Sequence, residues 1–208
     1  MRVIGITGGV GAGKSVVLDF LAEKYNCRVI KADLAAKALE EPGGVCYEPL
    51  IALLGEDILD AAGEIERRKM ADVIFGDKTL LQKVNAIVHP AVKAYLLSEI
   101  EKERKSGKRD YLFIEAALLI EEGYVGIVDG LWYIRAGESI RRRRLKKNRG
   151  YTDEKIDAIL KSQLAEEAFL ANCDVVIENN GALSSVYKQI EKELGEDQWQ
   201  KQRNFRDN

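Results

Sequence analysis

Short apolar runs alternate with longer stretches of helical period along this chain of 208 residues. Residues Arg2 to Thr7 form the first run and end at glycines, the pattern of a buried strand entering a tight turn. From Lys14 to Tyr25, the apolar residues Val17, Leu18, Leu21 and Ala22 recur on one helical face, and Arg28 to Ala32 gives a second short strand ending at Asp33. Strand, loop, helix and strand make a βαβ unit, which is right-handed and belongs to parallel sheets covered by helices on both faces. Three further runs, Tyr111 to Glu115, Gly130 to Ile134 and Asp174 to Ile177, are apolar, rich in β-branched or aromatic residues, and separated by helical stretches. The pattern predicts an α/β fold built on a five-stranded parallel sheet.

Between the second and third strands the sequence offers no good strand. Ile65 to Phe75 and a helical pattern from Lys78 to Lys105, interrupted near Pro90, occupy the interval. This is too much chain for a plain crossover, and loops of that size without structure are uncommon. It reads as a helical substrate-binding insertion, residues 41–107. The stretch from Ser139 to Ala171 is also helical, opens on a cluster of arginines, and reads as a basic lid, residues 137–171. Residues 1–40, 108–136 and 172–194 then form the core of one elaborated domain. The tail, residues 195–208, is polar, lacks aliphatic anchors and is expected to fray.

Composition changes this picture little. Hydrophobic residues make up 46% and charged residues 32%, as in ordinary globular proteins rather than disordered or fibrous ones. A net charge of -2 gives no global field for nucleic acid or an anionic membrane, so such a partner would need a local basic patch. Cys27, Cys46 and Cys173 form no CxxC pair and no even-numbered framework, so three buried, reduced thiols are expected. Met1 leads straight into the first strand without a leader pattern, and no segment approaches the roughly 20 apolar residues of a spanning helix. The expectation is a cytoplasmic protein without nucleic-acid, membrane or obligate protein partners.

Chemistry concentrates in the first loop. Gly8-Gly9-Val10-Gly11-Ala12-Gly13-Lys14-Ser15 satisfies G-x-x-x-x-G-K-[ST] and stands between a strand and a helix, as a phosphate-binding loop requires. The glycines let successive backbone N–H groups and the helix N-terminus converge on phosphate oxygens. Lys14 supplies a point charge at the β- and γ-phosphates, and the Ser15 hydroxyl is placed to ligate Mg²⁺. A dinucleotide-binding loop is the nearer competitor, but G-x-G-x-x-G is never completed, because Lys14 stands where its third glycine belongs. GTPases also need N-K-x-D, which this chain lacks; Asp60-Ala61-Ala62-Gly63 mimics D-x-x-G but no apolar strand delivers it, so it reads as a surface turn.

Other candidates depend on position. Asp33, at the carboxyl end of the second strand, can orient an acceptor hydroxyl and take its proton, or can cap the helix from Leu34 to Leu39. Arg141 to Arg144, with Lys146, Lys147 and Arg149, follow the fourth strand, as a lid that neutralises a transferred phosphoryl group would. The same run is also compatible with a solvated helix face or a nucleic-acid patch, and neighbours on a helix cannot all face one phosphate. Glu115 ends the third strand and can hold a water of the Mg²⁺ shell or contact substrate. His89, the one histidine, precedes Pro90 and reads as a helix-end residue.

Taken in order, ITGGVGAGKS, KADLAAKAL around Asp33, LGEDILDAAGEIERRKMADVIF from Leu54, NAIVHPAV around His89, EAALLIE from Glu115 and CDVVIENNG from Cys173 resemble dephospho-CoA kinases. The resemblance covers about Arg2 to Leu194 and implies a kinase-type P-loop NTPase core. It implies phosphorylation of the ribose 3′-hydroxyl of dephospho-CoA by ATP with Mg²⁺, the last step of coenzyme A synthesis. In such a kinase Asp33 would be the general base. Arg67 would help hold dephospho-CoA, with Lys37, His89 and Glu115 also on the acceptor side. Gly9, Val10, Gly11, Ala12, Gly13, Lys14, Ser15 and Val16 would hold ATP, Asn179 and Gly181 would lie by its adenine, and Arg144 would act from the lid. The chain departs from the family pattern at Ala117, usually proline, at Val16, usually threonine, and at Lys37, usually arginine, which loses the bidentate fork of a guanidinium. Arg149 is displaced by one residue, with Asn148 in its slot. A kinase for another small acceptor, such as a nucleoside monophosphate, and a non-catalytic nucleotide switch are the other readings of the same motifs.

Overall fold

The computed structural model describes residues 1–116, 119–121 and 123–195. Ala117 and the tail from residue 196 onward lie outside the described residues. The sheet holds five parallel strands, β1 (Arg2–Thr7), β2 (Cys27–Lys31), β3 (Tyr111–Glu115), β4 (Gly130–Arg135) and β5 (Val175–Glu178), in the order β2-β3-β1-β4-β5. Pairing runs Ile4 with Gly130 to Thr7 with Tyr133, and Trp132 with Val175 to Arg135 with Glu178. The middle strands are buried on both faces, with Val3, Ile4, Ile6, Leu112, Phe113, Ile114 and Trp132 wholly inside. That is why they read as continuous apolar runs. Chain order reverses at β1, so the loop that follows it opens where ligands bind in open parallel sheets.

Several strand ends shift by one residue from expectation, two of them for clear local reasons. β5 begins one residue late because Asp174 is spent on β4: its carboxylate accepts from the Leu131 N–H at 2.7 Å and its own N–H donates to the Leu131 carbonyl at 2.8 Å. Asp129 does the same for β1, accepting from the Val3 N–H at 2.7 Å. β2 stops at Lys31 and α2 (Ala32–Glu40) starts without a loop. Asp33 is therefore neither a strand terminus nor the helix cap. Lys31 occupies the cap position, no side chain caps this helix, and Asp33 lies in its first turn, where a carboxylate complements the helix dipole.

The chain divides into two compact units, Ile30–Leu112 together with Met1, and Arg2–Val29 together with the chain from Phe113 onward. In the first, α2, α3 (Tyr47–Leu54), α4 (Arg67–Ile74) and α5 (Lys78–Ser106) gather around Cys46, Leu50 and Val84, with Leu39, Met70, Ile74 and Val88 packed against them. The expected break at Pro90 does not occur, and α5 runs unbroken for 29 residues. Pro90 lies on an exposed face, as does Ala86, whose carbonyl loses its partner, so water can satisfy it. Strong ends hold the helix: Asp77 accepts from the Leu80 N–H at 2.9 Å, and Gly107 closes the other end with φ 63°. His89 is thus a mid-helix, half-buried residue rather than a helix-end one. Asp60 to Gly63 is a surface turn as expected, the Asp60 carboxylate accepting from the N–H groups of Ala62 and Glu64 at 2.9 Å each.

In the second unit, α1 (Lys14–Lys24) buries Val17, Leu18, Phe20 and Leu21, with Phe20 inside where Ala22 was expected. Residues 137–172 hold three helices, α6 (Glu138–Arg149), α7 (Asp153–Ser162) and α8 (Glu166–Asn172), and α9 (Leu183–Leu194) follows β5. Among the described residues, no helix is long and apolar enough to cross a membrane. All three cysteines are thiols, but Cys46 alone is fully buried and Cys27 and Cys173 are half-buried. Burial raises the Cys46 thiol and pushes that of Cys173 up to about 12, which makes both poor nucleophiles.

Candidate active site

The loop between β1 and α1 has the shape its sequence demands. Gly13, the residue before α1, takes the left-handed conformation with φ 93°, and a Cβ there would collide with the Asn179 side chain. Glycine is required at this point on both counts. Lys14 opens α1 and folds back along the loop, its Nζ donating to the Gly8 carbonyl at 2.8 Å and standing 3.5 Å from the Glu115 carboxylate. Ser15 is exposed in the first turn of α1, and Val16 next to it is half-buried.

A second set of side chains holds the carbonyl side of the loop. The Asn179 Nδ2 donates to the Ala12 carbonyl at 2.8 Å. Arg144 donates through Nη1 to the same carbonyl at 3.1 Å, and through Nη2 to the Asn179 backbone oxygen at 2.9 Å and its Oδ1 at 3.1 Å. Arg141 donates through Nε to the Val10 carbonyl at 3.0 Å and through Nη2 to Gln163, and its guanidinium packs directly over Gly9. In a trans peptide the C=O and the following N–H point in opposite directions. Fixing the carbonyls of Val10 and Ala12 therefore turns the N–H groups of Gly11 and Gly13 to the other side, as a phosphate cradle needs.

This arrangement refines several expectations. Arg144 spends its hydrogen bonds on the loop and on Asn179, and Asn179 itself is 1% exposed beneath the loop. Gly181 is exposed two residues further on. Arg141 stands in the sequence only as part of the arginine run and Gln163 carries no signal there, although within the run from 141 to 144 only residues 141 and 144 are spaced to share a helix face. Burial lowers the pKa of both guanidinium groups without removing their charge. Replacing Asn179 with alanine is expected to cost about 2 kcal/mol of stability, because the buried Ala12 carbonyl and Arg144 each lose a partner. Urea denaturation measures this, with the apparent KM for ATP expected to rise in parallel.

In the unit from Ile30 to Leu112, a cavity of about 590 Å³ is lined by Asp33, Ala36 and Glu40 of α2, by Arg67, Met70, Ala71 and Ile74 of α4, and by Leu81, Val84, Asn85 and Val88 of α5. Phe75 and Gly76 complete it, and Phe75 is 90% exposed. Arg67 Nη2 lies 3.2 Å from the Glu40 carboxylate. Lys37 is exposed on α2, and neither it nor His89 is among the lining residues. Glu40 was not anticipated; its spacing from Asp33 and Ala36, i, i+3 and i+7, is the signal that places all three on one face. Mostly apolar walls with a few charged groups are the usual make-up of a small-molecule site.

Among the described residues, no group of three or more His, Cys, Asp or Glu could hold a metal ion. Ser15, exposed in the first turn of α1, is a residue of this loop that could hold a metal ion such as Mg²⁺, which takes oxygen ligands.

Comparison with known proteins identifies the family and the fold. The family model described as dephospho-CoA kinase matches residues 2–185. The dephospho-CoA kinase of Geobacillus kaustophilus is 35% identical over 187 residues, covering 90% of this chain and 92% of the relative. The crystal structure of TT1252 from Thermus thermophilus superimposes with a TM-score of 0.78 at 30% identity, over 94% of this chain and 97% of that one. The dephospho-CoA kinase of Campylobacter jejuni shares the fold, with a TM-score of 0.70 at 21% identity, over 93% and 96% of the two chains. The fold is that of the P-loop kinases. The chain belongs to the dephospho-CoA kinase family, whose members phosphorylate dephospho-CoA with ATP in the final step of coenzyme A synthesis.

Proposed function

We propose that the loop from Gly8 to Val16 holds the phosphates of ATP, that the cavity lined by Asp33, Glu40 and Arg67 receives dephospho-CoA, and that Asp33 takes the proton of its ribose 3′-hydroxyl. The observation that carries this reading is the loop itself, a complete phosphate cradle at the switch point of the sheet with its carbonyls tied down by Asn179, Arg141 and Arg144. Residues 41–107 act as the acceptor-binding insertion and residues 137–171 as the lid.

Each residue has a physical task in this scheme. The N–H groups of the loop and the Lys14 ammonium meet the charge on the transferred phosphoryl group, which builds on its oxygens as the bond to the leaving group loosens. Glu115, within ion-pair distance of Lys14, sets where that ammonium rests and releases it toward the γ-phosphate. Arg141 and Arg144 hold the loop in shape, so the cradle is preorganised before nucleotide arrives. Ser15 would hold Mg²⁺, which would supply positive charge to offset that of the nucleotide phosphates. Asp33, exposed in the first turn of α2 and lining the cavity, accepts the hydroxyl proton, while Arg67 faces the acceptor diphosphate. Three cysteines held as thiols and ATP as substrate support a cytoplasmic setting.

A panel of acceptors in an ADP-release assay tests the proposal. Dephospho-CoA alone is expected to stimulate release. Stimulation by nucleoside monophosphates instead would assign the cavity to a different acceptor, and ADP release unaffected by any acceptor would leave a nucleotide switch.

A further inference from the structure

Glu40 is one of the few charged residues buried among the described ones. Its side chain is 9% exposed, against 51% for Arg67, the group it meets at 3.2 Å. Both line the cavity of α2, α4 and α5. A carboxylate buried there stabilises the fold poorly. Burial raises its pKa more than Arg67 lowers it, so the ionised form is disfavoured in the folded protein. The sign follows from linkage: the favourable contribution of this group is full below its unfolded pKa and is lost as pH rises through the raised folded value. An ionised Glu40 is therefore less favourable in the fold than a neutral one, and packing alone gives no reason for a carboxylate at this place.

The geometry gives another reason. A guanidinium carries five N–H donors in a rigid planar fork, on a stem that is otherwise free to rotate. Contact between Glu40 and Nη2 fixes one edge of that fork and leaves donors on the remaining edge for a second anion. We infer that Glu40 is a positioning residue that holds the Arg67 guanidinium in the cavity so that it can grip an anionic group of the acceptor. This rests on the reading of the cavity as the acceptor site. Glu40 touches Arg67 rather than the acceptor, and it acts before the chemical step. It therefore affects how tightly the acceptor is held more than how fast phosphoryl transfer runs once both substrates are bound.

Glu40→Gln keeps size and a hydrogen-bonding oxygen but removes the charge. It is expected to raise the KM for dephospho-CoA about tenfold while changing kcat and the KM for ATP less than about twofold. The melting temperature should hold or rise, whereas a residue kept for structure would lower it. In an Arg67→Ala background, which alone should raise the acceptor KM, the same change at residue 40 should add nothing. An unchanged acceptor KM in Glu40→Gln, or an equal further rise in the double variant, overturns the positioning role. An Arg67→Ala protein with unaltered acceptor KM removes the acceptor reading of the cavity, and the role of Glu40 with it.

Discussion

Replacing Lys14 with alanine is expected to lower kcat about 10²- to 10³-fold, the loss that follows when one preorganised donor to developing charge is removed. The side chain is only 14% exposed and bridges two points of the site, the Gly8 carbonyl and the Glu115 carboxylate. Its ammonium is thus already desolvated in part before nucleotide binds, so its charge acts through a lower dielectric than a surface lysine would. The fold should survive. α1 is held by Val17, Leu18, Phe20 and Leu21, none of which depends on Lys14, and alanine is the best helix former for the position. Circular dichroism melts within a few degrees of the parent, combined with collapsed turnover, are the expected pair of results. Turnover within about threefold of the parent would remove Lys14 from the mechanism.

Asp33→Asn should separate chemistry from binding. Asparagine matches aspartate in shape and still accepts a hydrogen bond, yet it cannot take a proton. A drop in kcat of about 10²- to 10⁴-fold with the acceptor KM roughly retained is the expected outcome for a general base. Asp33 also complements the dipole of α2 from its first turn, but that contribution is only about 0.3–1 kcal/mol, so the melting temperature should move little. An unchanged kcat together with a lowered melting temperature would return Asp33 to a purely structural role in the helix.

The parts legible in the sequence are those whose logic is local. β1, the glycine-rich loop and α1 could be read because an apolar run, the backbone freedom of Gly13 and the spacing of Val17, Leu18 and Leu21 each act within a few residues. Strand ends slipped where one side chain serves another strand: Asp174 holds the Leu131 N–H across 43 positions of sequence. The break expected at Pro90 is absent because its effect depends on whether the carbonyl it orphans meets water, and only the exposure of Ala86 and Pro90 decides that. The site divides in the same way. Lys14 announces itself through its motif, whereas Asn179 reaches Ala12 from 167 residues away and Glu40 meets Arg67 across 27. An asparagine near a strand end and a glutamate in a helix carry no sign of those partners. Of the arginine run, sequence gave the charge, and only the placement of α6 shows which two guanidinium groups reach the loop.

Phosphorus NMR of the product made from ATP and dephospho-CoA is the most direct measurement. A new phosphomonoester coupled to the ribose 3′ proton, formed in step with ADP and absent with Lys14→Ala, is the predicted result. ADP appearing with inorganic phosphate alone, or a phosphoester at any other position, would contradict it.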